Sequence, residues 1–197
     1  MKFARFLLAA LLLIGLPAFA DPVTYTAVLS GPAEFPPNAS PGSGFTTVII
    51  DTTAHTLSVD ITFQDLVGIT TASHIHCCTA VPGAGAIGVA TELPLFTGFP
   101  VGVASGTYFH LFDTSLAGTY NPAFVTNNGG GTVAGAEAAL AAGLDAGRAY
   151  LNIHSNIYPG GEIRGFLVPE PGTFILMGTG VLALALVHRR RLNATRG

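Results

Sequence analysis

The chain has 197 residues, and its composition and charge already exclude some classes of protein. Only 10% of the residues are charged, there are 25 glycines and 13 prolines, and the mean hydropathy is +0.55. Most Lys and Arg lie near the two ends, so the segment 21–168 has 2 basic and 10 acidic residues and a formal charge of −8. Nucleic-acid binding needs clustered Lys or Arg, which excludes a nucleic-acid partner for this segment.

The start of the chain has the layout of a secretory signal peptide. Lys2 and Arg5 precede the apolar run 6–16, and an Ala-Phe-Ala stretch precedes Asp21. The run is shorter than the roughly 20 residues that a membrane-spanning helix needs. We therefore expect a signal peptide over residues 1–20, and hence export of the chain.

The middle segment is punctuated by Gly and Pro, with β-branched runs between them, which is typical of many short strands. The clearest run is 57–64, where apolar and polar residues alternate as in a half-buried antiparallel strand. The predicted strands are 24–29, 44–51, 57–64, 72–77, 106–112, 149–154 and 162–168. Seven short strands predict an all-β fold, a Greek-key β-sandwich or barrel.

Two segments depart from the strand pattern. Residues 133–142 are rich in Ala, with Thr132 placed to cap a helix and Gly143 placed to end it. We predict one short helix there, in a connection between strands. The prolines and glycines of 78–102 predict a long loop, and loops of this length inside compact domains are often functional.

Three histidines form a candidate metal site. His74 and His76 are two residues apart, so on a strand both side chains leave the same face. If the later strand that carries His154 is a neighbour, three imidazoles could converge beneath the loop and hold zinc or copper. Glu162 is a candidate fourth ligand, or an acceptor for an imidazole N–H. The alternative is that the histidines bond backbone carbonyls and acidic groups and only fix the loop.

Cys77 and Cys78 are the only cysteines of the chain, and an exported protein meets an oxidising compartment. Neighbouring residues on a regular strand point to opposite faces, so a bond between them needs a tight turn. Three states stay open at this point: a vicinal disulfide, two reduced thiols, and an intermolecular bridge.

The last part of the chain, 169–197, is a second targeting segment. Pro169-Glu170-Pro171 leads into the uncharged apolar run 174–187, and an arginine cluster follows at 189–191. The run is about two-thirds of a hydrocarbon span and predicts a short transmembrane helix with the arginines on the cytoplasmic side. An ordinary C-terminal membrane anchor is the alternative to a sorting signal.

The order of tripeptide, apolar run and arginines resembles the PEP-CTERM sorting signal of Gram-negative bacteria. The resemblance implies that an exosortase reads the tripeptide and that the tail is removed. It also implies a precursor tethered to the inner membrane, followed by a mature protein at the cell surface or outside the cell.

Four motifs of the middle segment resemble the CHRD domain, which is named from chordin and is common in secreted bacterial proteins. In chain order they are L-S-G-P-A-E-F-P-P at 29–37, A-S-H-I-H at 72–76, Y-L-N-I-H at 150–154 and Y-P-G-G-E-I-R-G at 158–165. The resemblance spans about 24–168. It departs at Cys77-Cys78, where the family more often has Gly-Pro, and it implies no defined reaction.

The H-x-H motif also resembles that of copper-zinc superoxide dismutase, although the full ligand set has no counterpart here. The sequence thus predicts an exported, surface-displayed domain between two targeting segments, acting as a structural or interaction module of the envelope or extracellular matrix. No catalytic set is convincing. The alternatives are an exported metal-binding protein and a dismutase-like enzyme that uses the three histidines. The predicted partners are an exosortase-type enzyme, the membrane through 174–187 before processing, and an envelope or matrix polymer or protein.

Overall fold

One curled antiparallel sheet forms most of the computed structural model, which describes residues 22–170. The strands are β1 (Val23–Ser30), β2 (Ser43–Asp51), β3 (Thr56–Gln64), β4 (Thr70–His76), β5 (Gly106–Asp113), β6 (Tyr150–Ser155), β7 (Ile163–Phe166) and β8 (Val168–Pro169). Their spatial order is β4-β6-β7-β1-β2-β3-β5, with β8 beside β1, in a half-barrel. The predicted all-β fold of about seven short strands is confirmed.

The predicted signal peptide, 1–20, and the predicted transmembrane helix, 174–187, lie outside the described residues. Among the helices of residues 22–170, none is long and apolar enough to span a membrane.

The hairpin of β2 and β3 follows directly from its sequence. In β3 the side chains of Leu57, Val59 and Ile61 are fully buried, and the residues between them face outward or are half-buried. At the turn, the carboxylate of Asp51 accepts hydrogen bonds from the next backbone N–H groups, those of Thr53 and Ala54, both at 2.9 Å. Local turn chemistry and the period of two therefore set the same register.

Two helices pack beside the sheet, α1 (Pro122–Asn127) and α2 (Val133–Asp145). As predicted, Thr132 caps α2, and its side chain accepts from the Gly135 N–H at 3.0 Å. The short α1 was not predicted, because six residues are too few to show a helical period. Ala136, Leu140 and Leu144 of α2 are fully buried in the core against the sheet.

The prediction that Gly143 ends α2 is wrong. The helix continues to Asp145 and ends in a Schellman arrangement, in which the Arg148 N–H donates to the Gly143 carbonyl at 2.8 Å. The left-handed residue of that arrangement is Gly147, with φ of +64°. Gly143 is glycine for a different reason, since a Cβ atom there would overlap the sulfur atoms of Cys77 and Cys78.

The two edges of the sheet differ. The loop after β4 covers the β4 edge, where the Ala90 N–H donates to the Ile75 carbonyl at 2.9 Å. The β5 edge has no such cover in the described part of the chain. On its outward face Phe109 is 67% and Leu111 57% exposed.

Candidate functional site

The pairing of β4 with β6 brings the three predicted histidines together. In the register, Ala72 lies opposite His154 and His74 opposite Asn152, so all three rings are on one face. The ring centroids of His74 and His154 are 5.3 Å apart, and those of His74 and His76 are 5.9 Å apart. One ring nitrogen from each histidine lies within 4.8 Å of the others.

The second nitrogen of each ring is bonded to a backbone carbonyl. The bonds are His74 Nε2 to Pro94 O at 2.7 Å, His76 Nδ1 to Ile87 O at 2.7 Å and His154 Nδ1 to Pro159 O at 2.9 Å. A carbonyl only accepts, so each of these ring nitrogens donates its proton. The network thereby assigns the tautomers and leaves a lone pair on the other nitrogen of each ring.

Two of those lone pairs have no partner. His74 Nδ1 and His154 Nε2 are buried and make no hydrogen bond to any described residue. The third, on His76 Nε2, lies 3.1 Å from the atom placed as Oδ1 of Asn152. Because His76 carries its proton on Nδ1, the amide satisfies Nε2 only with its NH₂ group turned toward the ring.

Burial keeps the three rings neutral. It lowers the pKa of His74, against the opposing effect of the bond to Pro94, and it lowers the pKa of His154. For His76, burial is again the largest cause and lowers the pKa to about 4. At neutral pH the cluster therefore presents unprotonated imidazoles, the form that binds metal.

Glu162 lies elsewhere and is not a member of the histidine group. Its carboxylate accepts from the backbone N–H groups of Val67 and Gly68 and from the Ser40 hydroxyl. Burial raises the pKa of this carboxyl, but hydrogen bonds, including one from Ser155, outweigh burial, so the net shift is downward. In this structure Glu162 anchors the loop before β4.

Cys77 and Cys78 are joined in a vicinal disulfide across a cis peptide bond, directly after His76. Cys77 is buried in the core, and the Sγ of Cys78 lies 3.6 Å from the carbonyl of Ala139 in α2. The sulfur atoms pack on Gly143, so the pair connects the end of β4 to the helix.

Arg164 ties the motif loops together. Its buried guanidinium donates to the carbonyls of Ala33 and Gly85, and its Nε lies 3.8 Å from Glu34 Oε2. The guanidinium also lies 4.7 Å from the centre of the Tyr150 ring. Neither Glu34 nor Tyr150 was predicted as a site residue, although both lie inside motifs that resemble those of the family.

Two protein-family models match the chain. The model of the CHRD domain matches residues 25–167, and that of the PEP-CTERM protein-sorting motif matches residues 167–191, which confirms both resemblances. The sorting motif implies export, a membrane-anchored precursor and processing by an exosortase-type enzyme, with a final place at the surface or outside the cell. Among curated proteins and among solved structures, none matches the chain. Because the first model spans the sheet and most of the sequence, the chain belongs to the CHRD domain family.

Proposed function

We propose that the exported domain is an interaction module of the cell envelope or extracellular matrix, and that its contact surface is the edge strand β5. The observation that carries this proposal is the unpaired outer side of β5.

The backbone of β5 is suited to pairing with another strand. It keeps a continuous register with β3 over eight residues, without a bulge, and it contains neither Pro nor Lys. Apart from that pairing, the backbone of residues 106–112 makes no hydrogen bond within residues 22–170. Proteins usually protect such an edge with a charge, a proline, a bulge or a cover, because an open edge recruits strands from other chains.

The side chains beside the edge favour a partner that covers apolar surface. Phe109 and Leu111 are exposed on the outer face, and Phe45 of β2, two strands away, is 49% exposed on the same face. An extended segment of a partner would add a strand through its backbone and bury these side chains, as in β-strand addition.

Charge limits the class of partner. Residues 22–170 contain two basic side chains, Arg148 and Arg164, and both donate inward to backbone carbonyls. The exposed charges of the described surface are acidic, among them Asp113 at the end of β5 and Asp60 in the neighbouring β3. The partner segment is therefore extended, apolar on one face, and basic at its flanks.

The test uses the full chain in its own host, with surface retention as the readout. The variant carries both Phe109→Lys and Leu111→Lys. The matched control is Ile157→Lys, which also changes an exposed apolar residue, 55% exposed, but in the loop after β6. We expect the double variant to be released into the medium and the control to stay with the cells. Equal retention of both, at equal thermal stability, would overturn the proposal.

The dismutase-like alternative finds no support in the surface charge. Superoxide is an anion, and with both described arginines bonded inward it would approach an acidic surface. The metal-binding alternative is a separate matter, since a cation is attracted by the same surface.

A further inference from the structure

We propose that His74, His76 and His154 bind one transition-metal ion, Zn²⁺ or Cu²⁺, through three imidazole nitrogens. This site is independent of the β5 edge, and it concerns the opposite end of the sheet, where β4 and β6 pair.

The first support is the orientation of the rings. All three histidines donate one ring N–H to a backbone carbonyl, two of them in the loop after β4 and the third in the loop after β6. Metal-ligating histidines use such outer bonds to fix the tautomer and to aim the remaining lone pair. Here the carbonyl bonds leave one lone pair on each ring, and each ring has a nitrogen within 4.8 Å of a nitrogen of the other two.

The second support is that a role in fixing the loop explains only half of the observations. The carbonyl bonds hold the loop and use one nitrogen of each ring. They leave His74 Nδ1 and His154 Nε2 buried without a partner among the described residues. A buried acceptor without a donor is costly, and a metal ion between the rings would satisfy both nitrogens at once.

The third support is the chemical fit. The three nitrogens lie within 4.8 Å of one another, while tetrahedral coordination with bonds of 2.0–2.1 Å needs about 3.4 Å between ligand atoms. Binding would draw the ring nitrogens closer by up to about 1.4 Å and would release His76 Nε2 from the Asn152 amide. Neutral imidazoles suit zinc and copper rather than calcium or magnesium.

The coordination would be open. The group holds three histidines, and neither Glu162 nor the disulfide sulfur atoms belong to it. Structural zinc sites usually have four protein ligands, whereas three leave one position for water or another small ligand. The ion would also connect β4, β6 and, through the carbonyl bonds, both covering loops.

The test is metal content and metal binding of the exported protein purified from its host. Elemental analysis should find close to one zinc or copper per chain. After removal of metal with a chelator, titration with Zn²⁺ and with Cu²⁺ should give one site, and either ion should raise the melting temperature. With Cu²⁺ bound, electron paramagnetic resonance should show nitrogen hyperfine coupling from imidazoles.

The key variant is His154→Gln, since His154 is the least buried of the three and its replacement disturbs the fold least. We expect its affinity to fall by more than the ~10–100-fold that loss of an outer-shell partner costs. The matched control is His55→Gln with His110→Gln, which removes imidazoles outside the cluster and should bind metal as the wild type does.

Two results would overturn the site. One is a wild type that neither contains metal nor binds either ion more tightly than His154→Gln does. The other is a melting temperature that metal raises equally in wild type and His154→Gln. Both readouts are separate from surface retention, so failure here leaves the β5 proposal standing, and the reverse holds too.

Discussion

The ring of Tyr150 lies parallel to the ring of His76, with centroids 4.7 Å apart and an angle of 7° between the planes. The hydroxyl of Tyr150 donates to the Ile87 carbonyl at 3.1 Å, and the same carbonyl accepts from His76 Nδ1. Tyr150 therefore positions both the ring and the group that fixes its tautomer.

Replacing Tyr150 should separate these two effects. Tyr150→Phe keeps the stacked ring and loses two hydrogen bonds, the one donated to the Ile87 carbonyl and the one accepted from the Ile87 N–H. This should cost about 1–2 kcal/mol of the free energy of unfolding. Tyr150→Ala also removes a buried ring and should cost about 3 kcal/mol or more, with weaker metal binding. Urea unfolding and metal titration measure both, and equal losses for the two variants would contradict the stacking role.

Asn152 is the position at which the metal site can be strengthened. It is 2% exposed and its amide faces His76 Nε2. Asn152→Asp would place a carboxylate beside the imidazoles. A fourth ligand should raise Zn²⁺ affinity by at least the ~10-fold that an outer-shell partner contributes. Without metal the same variant should be less stable than wild type, because a charge is then buried unpaired. Asn152→Ala is the control and should show no gain in affinity.

Acid should destabilise the metal-free protein through the histidines. Burial lowers the pKa of His76 from 6.5 to about 4, and the neighbouring His74 and His154 are shifted in the same direction. The unfolded chain therefore binds protons more readily than the native one between these values. The contribution of the neutral histidines to the free energy of unfolding is fully present above about pH 6.5, and it should fall as the pH drops toward 4. Chemical unfolding at several pH values tests this, and His76→Gln should show a shallower decline.

Gly143 and the cysteine pair should be coupled. Alanine for glycine within a helix is usually stabilising by roughly 0.5–1 kcal/mol, but a Cβ at position 143 would overlap both sulfur atoms. We expect Gly143→Ala to cost about 1–3 kcal/mol and to cost much less when Cys77 and Cys78 are both alanine. Additive effects in this double-mutant cycle would contradict the contact.

The state of the cysteine pair can be measured directly. A vicinal disulfide makes the mature protein about 2 Da lighter than its dithiol form, and it leaves no thiol for alkylation before reduction. Mass spectrometry with and without reductant gives the answer, and alkylation of the unreduced protein would contradict the bond.

The sorting motif offers a test of processing. Glu170 is exposed, and its backbone N–H donates to the Thr24 carbonyl at 2.9 Å, a bond that does not involve its side chain. Glu170→Ala should therefore fold normally and yet keep its C-terminal tail, if the exosortase-type enzyme that the sorting motif implies recognises the tripeptide. Mass spectrometry of the variant shows whether the tail is present, and normal removal of the tail would contradict that role.

The sequence predicts best where local pattern and tertiary environment agree. The alternation of β3 and the cap at Thr132 depend on neighbouring residues, and the structure confirms both. The prediction that Gly143 ends α2 was wrong because a glycine that ends a helix and a glycine that leaves room for a packed disulfide look the same in sequence. Only the packing of α2 on β4's end distinguishes them.

For the candidate site, the sequence identified the three histidines but not their surroundings. The spacing of His74 and His76 fixes a shared face, whereas the approach of His154 depends on the pairing of β4 with β6. Glu162 is a residue type that can ligate a metal. Its carboxylate instead accepts hydrogen bonds from the backbone N–H groups of Val67 and Gly68, which are distant in the sequence, so spacing could not predict them. Carbonyl acceptors such as Pro94 leave no signal in a sequence, because every residue has one.

The pairing of β8 with β1 has a consequence for how the domain is presented. Val168 lies opposite Thr26 and Pro169 opposite Tyr25, so the described chain enters and leaves the fold at adjacent points. The predicted signal peptide and the sorting motif are therefore attached at the same pole of the domain. A tether on either side would hold the domain by that pole, so the order in which the two segments are processed would not change which surface faces outward.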